Sequence, residues 1–429
     1  MPDAPDARSP QPARAGDDNQ PALAGDDNQI VAGGATLTWR TLPAVDLPSP
    51  VAVLAASGTD ALAAARQHAV SGTELVLSTP SRVDPALRDE LTDAGFAVAL
   101  LDGGEVTMLA KGQHRAPDPG RLWLLTSGST GRPKRVGHTL DSLTTVRAPQ
   151  DRRTWLCPYS PGTYAWWQVV TLSLTQPGQD LVVIEPAELD RWPQIATEHG
   201  VTAASGTPTF WRQALHRDGP ALAQVPLRQV TLGGEPVDQA ILDQLREIFP
   251  AARISWIYAS SEVGASIVVH DGRAGFPQEW LDRPAPDRPT ISVSGDELVI
   301  TSPYHGDGLA GAVRTGDRVE IVDGRVHIVG RLNSDEINVG GSKVSAGLVR
   351  NVLTAHPAVA WARVSGRKAP LVGRVVAAEV VLAPGADRAD ADEAALVQWC
   401  TERLPDYGVP RRIRYLDEIP FKETLKSDV

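Results

Sequence analysis

Between residues 50 and 260 short apolar segments take turns with amphipathic ones, and this alternation restricts the fold more than any other feature of the chain. "VAVLAAS", "ELVLST", "VALLD", "LWLLTS", "DLVVIEP", "VTAASGTP", "RQVTLGG" and "RISWIYAS" read as strands. "DALAAARQHAV", "PALRDELTDAG", "LDRWPQIATEHG" and "VDQAILDQLREIF" read as helices placed between them. Strands separated by helical crossovers pair in parallel, so the expectation is a mainly parallel, doubly wound α/β architecture. Sheets of this kind take their ligands at the carboxyl ends of the strands, where the connecting loops gather.

Past residue 290 the pattern becomes β-rich. "ELVITS", "RVEIV" and "RVHIVG" are separated by Asp-Gly and Gly-Asp turns. A helix follows ("SAGLVRNVLTAH", with Ser345 as N-cap), then strands ("WARVSG", "VVAAEVVLA"). A second helix ("ADADEAALVQWCTERL") has acids in its first turn and Arg403 in its last, and "RRIRYLD" is a final strand. The fold expected is therefore α/β: a large N-terminal domain over residues 31–331 with mainly parallel doubly wound sheets and a β-rich section, then a small mobile α+β C-terminal lid domain over 332–429. Residues 1–30 are rich in Pro, Ala and Asp and carry "AGDDNQ" twice, at Ala15–Gln20 and Ala24–Gln29. Too little apolar surface is available there to offset the entropy of ordering, which predicts a disordered tail.

Composition narrows the function by exclusion. The 429 residues are 42% hydrophobic and 22% charged, as in ordinary globular enzymes, with a net charge of −11. No basic run or basic–aromatic stripe suggests a nucleic-acid surface. Cys157 and Cys400 stand far apart without metal-ligand spacing, which argues against a disulfide framework or a zinc site. No apolar run reaches the ~20 residues of a membrane helix, and the first thirty residues lack a secretory pattern. A cytoplasmic protein with no membrane or nucleic-acid partner is expected.

The most informative stretch is Leu124–Lys134, "LLTSGSTGRPK". An apolar strand enters a loop in which Thr126, Ser127, Ser129 and Thr130 surround Gly128 and Gly131. Glycines let successive N–H groups point at one spot, hydroxyls add donors for phosphate oxygens, and Lys134 supplies a cation. It is not a Walker loop, because Pro133 stands where that motif needs a glycine before its lysine. A surface turn of similar composition is the bland alternative, and the strand ahead with Pro-Lys behind weighs against it.

This loop resembles the phosphate-loop signature of the adenylate-forming superfamily of acyl-CoA synthetases, peptide-synthetase adenylation domains and luciferases. Further stretches resemble other family motifs in the same order: "LGGEP" (232–236), "YASSE" (258–262), "RTGD" (314–317) and "GRLNSDEINVGGSKVS" (330–345). The resemblance implies attack of a carboxylate on the α-phosphate of ATP, giving an acyl-adenylate and pyrophosphate. Thr126–Gly131 and Lys134 are then expected to hold the β- and γ-phosphates. Gly233, Gly234, Glu235 and Tyr258 are expected beside adenine, with Asp317 and Arg331 at the ribose. Ser261 is expected to donate to the α-phosphate, and Glu262 to ligate Mg²⁺. The family's catalytic lysine maps to Lys426 when the tail "IPFKETLKSDV" is aligned on Pro420, with Lys422 as the fallback. Leu425 stands where the family usually has a glycine. Asn338, Asn333, Arg135 and Leu140 are other departures from the family pattern.

The resemblance also places an acid pocket along "WLCPYSPGTYAWWQVV", "GTPTFW" and the loops at Gly233 and Tyr258, with Tyr164, Trp167, Thr207, Gly233 and Ala259 as contacts. Trp155, Tyr159, Trp166, Phe210, Trp211 and Trp256 cluster in the same segments, and eleven tryptophans in a chain only 5% aromatic make flat walls and an aromatic acid the expectation. No aspartate lies between Ser160 and Gln168 to receive an ammonium group, which disfavours α-amino acids. Gly340 and Gly341 resemble glycines that admit a pantetheine arm, so CoA or a carrier protein's phosphopantetheine is the expected acceptor, in a setting such as secondary metabolism. Two alternatives are an adenylating enzyme with a non-thiol acceptor or an unusual oxyanion (amide formation, nitrite activation), and a non-catalytic nucleotide-binding homologue.

Overall fold

A computed structural model of the chain describes residues 23–126, 133–284, 287–309, 311–332, 335–369, 373–420 and 425–426. Two sheets of the same design form the large domain. The first has eight strands in the spatial order Ala35–Thr38, Gln29–Ala32, Gln179–Val183, Arg153–Cys157, Ala203–Gly206, Gln229–Gly233, Arg253–Ser260, Gly264–Val269. The second has six, in the order Glu105–Ala110, Ala97–Asp102, Val51–Ala55, Leu75–Ser78, Arg121–Thr126, Lys134–Thr139. In each the inner strands are parallel and only the edge strands run antiparallel. Val51–Ala55 and Gln179–Val183 are buried at every position, as strands covered by helices on both faces must be. The doubly wound expectation is met.

Local chemistry sets the helix ends. Ser57 caps Gly58–Ser71 by accepting from the Asp60 N–H, and Gly72 closes the helix in a left-handed conformation at φ 70°. Asp238 caps Gln239–Ile248 through the Ile241 N–H. "LDRWPQIATEHG" divides, with a 3₁₀ turn at Pro186–Arg191 leading into a helix at Trp192–Glu198. The third sheet, Phe276–Pro277, Arg325–Arg331, Ala312–Val322, Glu297–Thr301 and Thr290–Ser294, is antiparallel throughout and supplies the β-rich section.

Two details differ from the sequence reading. The second "AGDDNQ" is folded rather than a solvated tail, whereas the first copy lies outside the described residues. Asn28 donates through Nδ2 to the carbonyls of Ser173 (2.6 Å) and Gln176 (2.7 Å), and its Oδ1 accepts from the Gly178 N–H (2.7 Å). Gly25 lies so close to the chain that a Cβ would stand 2.0 Å from the Ser173 carbonyl oxygen. Polar side chains that satisfy buried backbone groups do not register as hydrophobic pattern, which is why composition misassigned this segment. The last helix is also shorter than its acids and Arg403 implied. It spans Glu393–Thr401 with Asp392 as N-cap, and Arg403 lies beyond it with its guanidinium 3.4 Å from the centre of the Trp399 ring.

Apolar packing divides the chain into two main bodies. One core draws on residues between Ile30 and Val326. A separate one, Ile337 to Val409, lies between the sheet Val359–Ala369, Gly373–Leu382, Arg412–Tyr415 and the helices Ala346–Thr354 and Glu393–Thr401. One residue breaks this division. Leu425, from the tail, is buried in the first core. Among the described residues no helix is long and apolar enough to cross a membrane.

Candidate active site

The strand Arg253–Ser260 ends at the carboxyl edge of the first sheet and carries Tyr258, whose hydroxyl donates to Asp317 Oδ2 at 2.5 Å. Asp317 sits on the strand Ala312–Val322 directly opposite Arg331 on its neighbour, and Arg331 Nε lies 3.1 Å from Asp317 Oδ1. Thr315 orients the turn by accepting from the Asp317 N–H at 3.0 Å, and the Arg331 N–H donates to Asp335 at 2.8 Å. Burial pushes the Asp317 carboxyl above the usual carboxylate range, against the opposing pull of the Tyr258 hydroxyl and Arg331. Burial likewise pushes the Tyr258 phenol well up, so it remains a donor. The parallel sheet and the antiparallel sheet thus meet at one carboxylate, backed by a phenol and a guanidinium.

Four residues on from Tyr258, Glu262 lies in the turn to Gly264–Val269. Its N–H donates to Ser260 Oγ at 3.3 Å, and its carbonyl accepts from the Gly306 N–H at 2.8 Å. Its carboxylate is half-buried and has no hydrogen bond or ion pair to any described residue. The backbone of neighbouring Ser261 is held from the second sheet, where His138 Nε2 donates to its carbonyl at 2.7 Å and His138 Nδ1 lies 3.0 Å from Ser142 Oγ. Burial lowers the His138 pKa and so favours the neutral ring. The sequence motifs gave His138 no role. Its part in fixing the Ser261–Glu262 turn needed the tertiary contact to be seen.

On the second sheet Thr126 ends its strand facing Lys134, the first residue of the next, so both flank the loop between them. Ser127, Gly128, Ser129, Thr130 and Gly131 lie outside the described residues, as does Lys422.

The tail completes the cleft. Lys426 passes Gly234, where a Cβ would lie 3.2 Å from Lys426 Cε, 3.5 Å from Nζ and 3.7 Å from Thr207 Cγ2. Gly234 has φ 81°, so both its conformation and this close approach favour glycine. Glu235 accepts from the Thr209 N–H at 2.9 Å, next to the N-cap Thr207 of the helix Pro208–Leu222. Lys426 is exposed as a residue, yet desolvation around its ammonium lowers its pKa. Glu235 opposes that shift and Arg331 adds to it. Lys426 therefore feels both the Glu235 loop and Arg331. Arg212 Nη2 grips both oxygens of Asp238 at 2.8 and 2.6 Å, and half-buried Arg350 of the small domain lies in the field of Asp238, Arg212 and Glu235. No sequence motif marked these arginines.

The aromatic residues assigned to the acid pocket divide. Trp166, Trp167, Phe210 and Trp211 are 0–2% exposed and pack on one another, Trp166 and Trp167 edge-to-face at 4.9 Å. The indole N–H groups of Trp155 and Trp256 are taken by Gln179 and the Arg273 carbonyl. These rings are mostly core, and the tryptophan-lined wall with Trp167 as a contact stays an expectation. Tyr164 accepts the Ala265 N–H at 2.9 Å, beside Ala259 and Gly264 where the strand pairing shifts register. Thr207, Gly233 and Ala259 lie at the carboxyl ends of the first sheet's strands or just beyond them.

Residues 49–330 match the AMP-binding enzyme family and residues 349–426 match the AMP-binding enzyme C-terminal domain, so the chain belongs to this family of adenylate-forming enzymes and is an AMP-forming acid ligase by class. It is 27% identical over 421 residues to a feruloyl-CoA synthase of Amycolatopsis sp, covering 84% of this chain and 79% of that protein. It is 28% identical over 388 residues to a salicylyl-CoA synthase / salicylate adenylyltransferase of Streptomyces sp, covering 79% and 67%. In fold it is similar to the amide bond synthetase McbA from Marinactinospora thermotolerans, with a TM-score of 0.69 at 22% identity, covering 94% of this chain and 96% of that one.

Proposed function

We propose that this chain adenylates a small aromatic carboxylic acid at the expense of ATP, releases pyrophosphate, and passes the acyl group to the thiol of CoA or a carrier protein. The observation that carries the reading is the arrival of Lys426 beside Gly234 and Thr207, within the electrostatic reach of Arg331 and Glu235. The chemistry joins two anions, so positioning and charge compensation supply most of the acceleration. Asp317, backed by Tyr258 and Arg331, holds the ribose hydroxyls, and Gly233–Glu235 form the adenine side. Thr126 and Lys134, with the loop between them, hold the distal phosphates. Ser261 donates to the α-phosphate. Lys426 neutralises charge where the carboxylate meets that phosphate, and the Gly234 surface keeps its approach open.

Mg²⁺ fits the residues present. Glu262 offers a hard oxygen donor that no described residue neutralises, and among the described residues no cluster of three or more His, Cys, Asp or Glu forms an all-protein cage. A single carboxylate with phosphate oxygens and water is the donor set this ion favours, and when bound it would neutralise phosphate charge.

An aromatic acid is favoured by the feruloyl- and salicylyl-CoA relatives and by the absence of an aspartate between Ser160 and Gln168. Acid-dependent pyrophosphate release over a panel of benzoic, cinnamic, fatty and amino acids tests this. Aryl acids are expected to lead, and a leading α-amino acid would overturn the substrate class. Adding CoA, a phosphopantetheinylated carrier or an amine to the best acid then separates thioester from amide formation.

A further inference from the structure

We propose that Leu425 is a positioning residue that anchors the tail in the large domain and so holds Lys426 at Gly234. The proposal builds on the role given to Lys426 above. Three observations concern the same residue. Leu425 has no exposed surface and packs into the large domain's core, whose other members all lie between residues 30 and 326. Its φ is 61°, a left-handed conformation that a branched side chain adopts only when its surroundings repay the cost. Its carbonyl accepts a hydrogen bond from Thr207 Oγ1, the same hydroxyl that caps the helix Pro208–Leu222 by accepting from the Phe210 N–H at 3.1 Å.

Side chain and carbonyl are thus both fixed to the large domain one residue before Lys426. A glycine would adopt this backbone more easily and supply no anchor. Leucine trades conformational ease for apolar burial that exists only while the tail is docked. Withdrawing the tail must expose Leu425 to water and break the Thr207 bond, so the residue biases the protein towards the arrangement in which Lys426 reaches the cleft. Thr207 links the tail to the helix bordering the proposed acid pocket.

The test compares wild type with Leu425→Gly, Leu425→Met and Thr207→Val, all full-length. Amine acetylation by acetic anhydride is followed at Lys426 by mass spectrometry at about pH 10.5, near the ordinary lysine pKa, so that the rate reports access to the amine more than its protonation, with exposed Lys111 as internal reference. Lys426 is expected to label about 10-fold faster in Leu425→Gly, in line with the loss of one buried leucine, and faster also in Thr207→Val. Leu425→Met, which keeps an apolar anchor, should stay within about twofold of wild type. In acid-dependent pyrophosphate exchange, Leu425→Gly should lose about 10-fold in kcat with the KM for ATP unchanged, and Leu425→Met should restore it. Equal labelling in wild type and Leu425→Gly, or failure of Leu425→Met to restore both readouts, would overturn the anchor. If wild type exchanges pyrophosphate with no acid, the adenylation reading fails, and the labelling comparison still decides the anchor by itself.

Discussion

The two sides of the cleft are built on different principles. On the large-domain side, the described groups proposed to face the nucleotide are tied to strand ends. Asp317 is fixed by its partner strand, by the Tyr258 hydroxyl and by Arg331, and Glu262 follows a strand whose turn is gripped from the second sheet by His138. On the tail side, Lys426 depends on one buried leucine, one threonine hydroxyl and the bare surface of a glycine. The first arrangement survives as long as the sheets do. The second can be undone without unfolding anything. The nucleotide site and the lysine proposed above thus rest on scaffolds of different durability, and the Arg212–Asp238 pair with Arg350 nearby marks where the two bodies meet.

The contrast can be broken first at Lys426. Lys426→Ala is expected to lower acid-dependent pyrophosphate exchange by about 10³-fold. ATP affinity, measured by calorimetry, should change less than about threefold, because the strand-bound groups are intact. A comparable loss of ATP binding would show that the tail, not the sheet edge, holds the nucleotide. Glu262→Gln comes next, with turnover reduced about 10²-fold and the optimal Mg²⁺ concentration shifted upward. Unaltered metal dependence would move the ligand elsewhere. Asp317→Asn should act on the opposite term, raising the KM for ATP about 10-fold while kcat changes little, since a charged acceptor is lost from the ribose side.

The smallest effect is a pH dependence of stability. Burial depresses the pKa values of His68, His138, His270 and His327 in the large domain, and that of His356, below the ordinary histidine value of about 6.5. The unfolded chain therefore binds these protons first. The stability they contribute is complete above about pH 6.5 and is lost as the pH falls through that value towards the folded-state pKa values. Urea midpoints at pH 7.5, 6.5 and 5.5 should fall in that order. His138→Gln should flatten the slope, and an unchanged slope would remove His138 from the set.

Much of this was legible along the chain. The alternation from "VAVLAAS" to "RISWIYAS" specified parallel strands because a helical crossover leaves few other ways to pair them. "YASSE" and "RTGD" gave Tyr258, Glu262 and Asp317 because each sits at a strand end or turn whose local geometry is set by its neighbours. The folding of Asn28 against Ser173 and Gln176, the burial of Trp166 and Trp167, and the grip of His138 on Ser261 could not be read in this way. Each depends on which surface arrives from more than a hundred residues away or from the opposite face of a helix.

The sequence by itself determined the alternation of strands and helices and the cap at Ser345, because those follow from short-range periodicity and side-chain chemistry. Only the tertiary structure decided that Leu425 would enter a core built by residues 30–326 and take Lys426 with it to Gly234. Burial is a property of the assembled surface, and a leucine five residues from the end of a chain carries no local sign of what will cover it.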